Sequence, residues 1–103
     1  CRRVLFRSID ADYDITNEGF PFMACANITV CGGLRARLFR ISFSGELAFE
    51  VAVPARYGDA LMRKLMVEGE EFNVTPYGTE ALGVMRIEKG HAAGNELNGT
   101  TTA

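Results

Sequence analysis

Residues 34–54 read LRARLFRISFSGELAFEVAVP, and this stretch decides the fold. Over residues 34–43 the side chains fall into two alternating sets, which is the period of a β-strand. After Ser44 and Gly45 the alternation resumes over residues 47–53 and ends at Pro54. The stretch therefore predicts two antiparallel strands joined by a tight turn, a β-hairpin.

The parity of this hairpin places one carboxylate on an apolar face. A loop of two or four residues around Gly45 puts Glu50 on the same face as Phe39, Ile41 and Phe43. Removing an unpaired carboxylate from water is unfavourable unless a partner binds it. The pattern therefore predicts that Glu50 has either a partner or access to solvent.

Two interpretations of Glu50 are open at this point. Its carboxylate would accept parallel N–H bonds from a planar heterocycle such as the 2-amino-4-oxo edge of a pterin, with the aromatic side chains holding the ring. Alternatively, Glu50 lies at a solvated edge or pairs with Arg35, Arg37 or Arg40 of the neighbouring strand. The residues alone do not choose between a binding role and a structural one.

Short elements are predicted in the part of the chain before this hairpin. Residues 2–9 fit the end of a helix, and the run of Asp, Asn and Gly over residues 10–19 is typical of turns. Residues 27–30 predict a short strand. The glycines of Cys31-Gly32-Gly33 then allow the chain to reverse direction.

Two helices are predicted after the hairpin. From Ala55 the apolar residues recur at helical spacing, and Gly69 is a plausible stop. Residues 72–75 predict a short strand or connector. Thr75 is then expected to cap a second helix that has Pro76 at its first position and ends at Gly90. Together these elements predict an α+β fold, with an antiparallel sheet built on a central β-hairpin and two packed helices.

Composition limits the class of protein. A chain of 103 residues with 48% hydrophobic residues fits one folded domain, and a net charge of -2 argues against nucleic acid as a partner. We expect no membrane span, because no apolar run approaches the roughly 18 residues required. Cys1, Cys25 and Cys31 lack the spacing of a metal site or a disulfide framework, so no metal is expected. We expect a cytoplasmic location and a single partial domain over residues 1–103, cut from a longer polypeptide.

Several motifs resemble one known family, the aminomethyltransferase (glycine cleavage T-protein) superfamily. The resemblance covers about residues 14–103. The motifs that carry it are the strand-turn-strand RISFSGELAFEVAVP (40–54) and the following helix TPYGTEAL (75–82) with RIEKG (86–90). Three shorter motifs are closer to the sarcosine oxidase alpha branch: FPFM (20–23), YGTEA (77–81) and EKG (88–90).

The resemblance implies specific site residues. The Glu that matches Glu50 binds the pterin of tetrahydrofolate in that family, and the position of Phe43, often Tyr, also lines the folate site. Phe39 is expected to extend the aromatic wall. The T-protein's folate-contacting Arg falls on Leu82, which weighs against a T-protein assignment. The family's catalytic Asp aligns upstream of this chain, so no catalytic residue is assigned here.

The resemblance also implies a function. The chain would be the C-terminal folate-binding region of a sarcosine oxidase alpha subunit. It would support transfer of the one-carbon unit from oxidised sarcosine to tetrahydrofolate and be inactive alone. Flavin and NAD would bind elsewhere in the full enzyme, which would be a hetero-oligomer with other sarcosine oxidase subunits. The alternatives are the aminomethyltransferase of glycine cleavage and a non-enzymatic folate-binding protein.

Overall fold

A computed structural model describes residues 2–10 and 12–93. Within these residues three antiparallel strands lie in the order β1–β2–β3 with three α-helices, so the α+β prediction is confirmed. The helix fitted to residues 2–9 is present and adds a third helix to the two expected. The bounds are α1 Arg2–Ser8, β1 Cys25–Val30, β2 Leu34–Phe39, β3 Glu50–Ala52, α2 Gly58–Gly69 and α3 Thr79–Lys89.

The described residues cluster into two compact units. The first contains α1, the sheet and α2, from residues up to 41 and residues 48–75. The second contains α3 and the segment 42–47. The prediction of one partial domain over residues 1–103 stays a prediction.

The core of the first unit lies on one face of the sheet. Leu38 and Val30 have no exposed surface, and both lie in the β1–β2 ladder. Helices α1 and α2 contribute Leu5 and Leu61 to the same cluster. The remaining members come from the strands and the turns beside them: Ile9, Ile15, Phe20, Ile28 and Ala36.

The two antiparallel strands of the predicted hairpin are present but shorter than predicted, and the loop prediction was wrong. β2 ends at Phe39 and β3 begins at Glu50, so residues 40–49 connect them in place of a short turn around Gly45. The backbone of Arg40 exchanges hydrogen bonds with Ala24 (2.9 Å) and Met23 (2.8 Å), on the side of β1. Gly45 has a φ of 80° and packs so closely against α3 that a Cβ there would lie 2.6 Å from Cγ of Lys89.

The helix boundaries also differ from the prediction. α3 begins at Thr79 after Gly78, and the Thr75 hydroxyl donates to the Asn73 carbonyl (3.1 Å) instead of capping a helix. Gly69 is the last residue of α2, but a 3₁₀ turn over Glu70–Phe72 follows, and the left-handed residue that ends it is Asn73. No strand forms over residues 72–75.

The turn predicted at Cys31-Gly32-Gly33 is confirmed, and the described residues of the Asp-rich segment form bends and a turn over residues 17–19. All three residues of the first turn have positive φ, and they join Val30 directly to Leu34 in the ladder. The Asp10 carboxylate accepts hydrogen bonds from the backbone N–H groups of Gly32 (2.8 Å) and Gly33 (2.7 Å). This side chain therefore fixes the turn between β1 and β2.

A candidate folate site on the open sheet face

The sheet has one buried face and one open face. Leu38 pairs with Val51 on the buried face, in agreement with the predicted alternation. One residue further along, Phe39 pairs with Glu50 on the opposite face, because successive side chains of a strand point to opposite sides. Glu50 is exposed and Phe39 is partly exposed, so this second face is accessible within the first unit.

A row of three side chains crosses the open face. Cys25 pairs with Phe39 in the β1–β2 ladder, and Phe39 pairs with Glu50 in the β2–β3 ladder. Directly opposed residues of antiparallel strands have Cβ atoms roughly 4.5–5.5 Å apart. The predicted parity is therefore confirmed for Phe39 and Glu50, and it places an exposed thiol on the other side of the ring.

Phe43 and Ile41 do not extend this row as predicted, because β2 ends at Phe39. Phe43 belongs to the second unit, where its ring is 44% exposed and the Arg86 guanidinium carbon lies 5.9 Å from the ring centroid. The structure brings together Phe39 and Glu50 among the three predicted site residues. A folate-lining role for Phe43 stays a prediction.

The ion-pair interpretation of Glu50 is not realised in the described part of the chain. Within residues 2–10 and 12–93, no salt bridge joins Glu50 to Arg35, Arg37 or Arg40. The guanidinium of Arg40 instead donates to Asn17 Oδ1 (3.1 Å) and to the Phe20 carbonyl (3.2 Å). Glu50 is therefore a solvated carboxylate with both oxygens available to a ligand.

An open groove of about 830 Å³ lies beside this row. Arg37 and Ala52 line it, and each lies two residues along its strand from Phe39 or Glu50. Asn27, Thr29 and Arg35 continue the lining. Glu50 and Phe39 are not lining residues, so the groove is a neighbour of the predicted site and not the site itself.

No group of three His, Cys, Asp or Glu side chains within residues 2–10 and 12–93 is arranged to hold a metal ion. Over the same residues, every helix is too short or too polar to span a lipid bilayer.

Comparison with known proteins gives the family. The model of the GCVT N-terminal domain family matches residues 2–103. This chain belongs to the GCVT N-terminal domain family. The motif-based resemblance to the aminomethyltransferase superfamily is thereby confirmed.

Individual relatives of this family member are sarcosine oxidases and a sarcosine dehydrogenase. The chain is 50% identical to sarcosine oxidase subunit alpha of Rhizobium meliloti (strain 1021) over 99 residues, which is 95% of this chain. It is 45% identical to sarcosine oxidase subunit alpha of Corynebacterium sp. (strain U-96) over 101 residues, which is 97% of this chain. It is 33% identical over 90 residues, 87% of the chain, to mitochondrial sarcosine dehydrogenase of Homo sapiens. It spans 10% of the length of each of these relatives. The resemblance to the sarcosine oxidase alpha branch is confirmed, and the relatives are larger enzymes.

Sequence reasoning did not identify the two arginines of the groove as site residues. The sequence suggests Arg35 and Arg37 only as ion-pair partners for Glu50. Their alternation with Leu34, Ala36 and Leu38 places them on the open face. This alternation places both arginines on the same face as Phe39. It does not show whether an acidic side chain among the described residues pairs with them.

Proposed function

We propose that this GCVT N-terminal domain family member is a tetrahydrofolate-binding portion of a sarcosine oxidase alpha subunit, in which Glu50 accepts the N–H groups of the pterin. One observation carries the proposal. Glu50 lies directly opposite Phe39 on an open sheet face, and within the described residues its carboxylate makes no ion pair. Similarity to two sarcosine oxidase alpha subunits supports the enzyme class.

The chemistry of these two side chains fits a pterin. A carboxylate accepts two parallel hydrogen bonds from a planar donor edge, and such charge-assisted bonds are stronger than neutral ones. The Phe39 ring, partly exposed beside the carboxylate, offers an aromatic surface for a flat heterocycle. A pterin would donate hydrogen bonds to the carboxylate and pack against the neighbouring aromatic ring.

The role of this chain in the proposed reaction is to bind and orient. Tetrahydrofolate, when bound, supplies the nitrogen atoms that accept the one-carbon unit derived from sarcosine. Glu50 and Phe39 fix the position of the ring, and this positioning lowers the entropic part of the barrier. The groups that transfer protons lie outside this chain, so the chain alone is expected to be inactive.

The proposed enzyme has further parts that carry out the oxidation. Sarcosine would be oxidised at a flavin in another part of the assembly, which would also contain NAD and the other subunits of a hetero-oligomer. The word "subunit" in the names of the sarcosine oxidase relatives supports a multi-subunit enzyme. We extend the proposal to a cytoplasmic location.

A substitution in the full-length enzyme tests the role of Glu50. Glu50→Gln converts one acceptor oxygen into a donor group, so one of the paired bonds is lost and a donor faces a donor. We expect tetrahydrofolate to bind roughly 10- to 100-fold more weakly, the range for losing a hydrogen bond to a charged group. Isothermal titration calorimetry measures this affinity directly.

Glu18→Gln is the matched control, because Glu18 is also exposed and lies in the turn segment before the sheet. We expect this variant to bind tetrahydrofolate as the wild type does. If Glu50→Gln binds with wild-type affinity, Glu50 does not contact the pterin. Equal losses in both variants would assign the effect to net charge and also count against the site.

A further inference from the structure

The middle of the connection between β2 and β3 is held by the C-terminal end of α3. Residues 42–47 of this connection cluster with α3 in the second unit. Within that unit, Phe43, Gly45 and Glu46 each contact a residue of the last turn of α3. The position of this segment therefore depends on side chains that lie much further along the chain.

Lys89 makes two of these contacts with different parts of its side chain. Its Nζ atom lies 3.1 Å from Oε1 of Glu46. Its aliphatic stem packs against Gly45, where a Cβ atom would lie only 2.6 Å from Cγ of Lys89. Gly45 also has a φ of 80°, a left-handed conformation that favours glycine. The charge and the stem of one lysine thus hold two successive residues of the segment.

Arg86 supports the same segment from one turn earlier in α3. Its guanidinium carbon lies 5.9 Å from the centroid of the Phe43 ring, and its Nη1 donates to the His91 carbonyl (2.8 Å). The second contact fixes the chain just after the helix, which ends at Gly90 with a φ of 74°. Basic side chains at the C-terminus of a helix are stabilised by the helix dipole. The end of α3 is therefore an ordered support for residues 42–47.

Glu50 follows this segment closely in the chain. It is the first residue of β3, a strand of three residues, and it lies four residues after Glu46. A short strand has few ladder hydrogen bonds, so the order of its first residue depends on the connection that precedes it. Paired hydrogen bonds to a planar ligand require the acceptor to be held within about 0.5 Å of its place. Order in residues 42–47 is therefore relevant to the carboxylate of Glu50.

On the basis of the proposed function, we propose that Lys89 is a positioning residue for the folate site. By holding Gly45 and Glu46, it orders the connection that leads to Glu50. Without this contact residues 42–47 move more widely, and the carboxylate of Glu50 is distributed over a larger range of positions. Tetrahydrofolate then binds more weakly, because the carboxylate has to be ordered when the ligand binds. Lys89 acts through Glu50 and does not contact the ligand.

A charge exchange in the full-length enzyme tests this role. Lys89→Glu places two carboxylates opposite each other, and Glu46→Lys places two ammonium groups there. We expect each single variant to quicken amide hydrogen exchange over residues 42–47 by about two- to fivefold, the effect of losing an exposed ion pair. Calorimetry should show tetrahydrofolate binding weakened by a similar factor. The double variant Glu46→Lys/Lys89→Glu restores the attraction and should return both values toward those of the wild type.

Lys64→Glu is the matched control, because Lys64 pairs with Glu68 in α2 (3.0 Å) and the substitution changes the net charge equally. It should leave exchange over residues 42–47 and tetrahydrofolate affinity unchanged. A second test adds Lys89→Glu to Glu50→Ala, which removes the carboxylate altogether. Because residues that act through one another are not additive, Lys89→Glu should not weaken binding further in this background.

The outcomes distinguish this inference from the proposed function. Wild-type exchange in the single variants, or no recovery in the charge-exchanged double variant, would overturn the role of Lys89. An equal loss of affinity from Lys89→Glu with and without Glu50→Ala would show that Lys89 does not act through Glu50. Faster exchange in Lys89→Glu, combined with wild-type tetrahydrofolate affinity in Glu50→Gln, would mean that Lys89 holds the segment but that the proposed function fails.

Discussion

At the scale of single residues, Asp10 shows how an exposed carboxylate organises a turn. It accepts hydrogen bonds from Gly32 and Gly33, whose backbone follows the strand β1. Asp10→Asn removes the charge and one acceptor oxygen, so we expect faster amide hydrogen exchange at Gly32 and Gly33 in the full-length protein. Asp12→Asn, at an exposed position two residues later, should leave both rates unchanged. Equal exchange in the two variants would show that the carboxylate does not hold the turn.

The pH dependence of the same contact has a definite sign. The hydrogen bond from Gly32, followed by that from Gly33, lowers the pKa of the Asp10 carboxyl below its usual value of 3.8, against the opposing effect of desolvation. A lowered pKa in the folded state means that the ionised carboxyl stabilises the turn above pH 3.8, and this contribution is lost as the pH falls through the lowered value. We therefore expect the difference in amide protection between wild type and Asp10→Asn to shrink below pH 3.8. A difference that stays constant down to about pH 2 would contradict the assignment.

Local sequence predicted the turn at Asp10 but not its partner. The run of Asp, Asn and Gly over residues 10–19 identified a turn because these side chains bond to nearby backbone, as Asp14 does with Thr16. Gly32 lies 22 residues from Asp10, and only the folded chain brings them together. Arg40 is a similar case, since its acceptors Asn17 and Phe20 are 23 and 20 residues away.

At the scale of an element, α3 and its C-cap contain two glycines with opposite roles. Gly90 ends the helix with a φ of 74°, and its N–H bonds to the carbonyls of Arg86 and Ile87. Gly83 is inside the helix, and a Cβ there would meet no atom within 4 Å. We expect Gly90→Ala to destabilise the helix by about 1–2 kcal/mol, the cost of a left-handed alanine, and Gly83→Ala to stabilise it by up to about 1 kcal/mol. Hydrogen exchange of the α3 amides should quicken in the first variant and slow in the second, and changes of the same sign would contradict this account.

The sequence pattern predicted the faces of the elements better than their ends. Alternation placed Leu38 and Phe39 on opposite faces of the strand, and this separation was correct. The same alternation continued to Phe43 in the sequence, although pairing with β3 stops at Phe39. In the connection between these strands Gly45 packs closely against Lys89, and side-chain alternation carries no information about such a long-range contact.

At the scale of the whole molecule, the candidate site depends on the pairing of the strands and on which charged side chains have no partner among the described residues. The parity argument was sufficient to place Glu50 beside Phe39. It could not decide whether an arginine would neutralise Glu50, because that depends on which partners each arginine finds in the folded chain. Arg40 is engaged by Asn17 and Phe20, while Arg35 and Arg37 extend the open face. An acceptor and two cations therefore remain available to a ligand.

The core that supports this face extends over several elements, and one truncation tests that continuity. Leu38 has no exposed surface and belongs to the cluster that joins α1, the sheet and α2 through Leu5 and Leu61. Leu38→Ala is expected to lower the local opening free energy by about 2–5 kcal/mol, from lost burial and the cavity left behind. Because the cluster is shared, hydrogen exchange in the full-length protein should quicken in α1 and α2 as well as in β2. Val67→Ala, at a position of α2 that is 68% exposed, should change opening by less than about 0.5 kcal/mol. Faster exchange confined to β2 would mean that the helices are stabilised independently of the sheet.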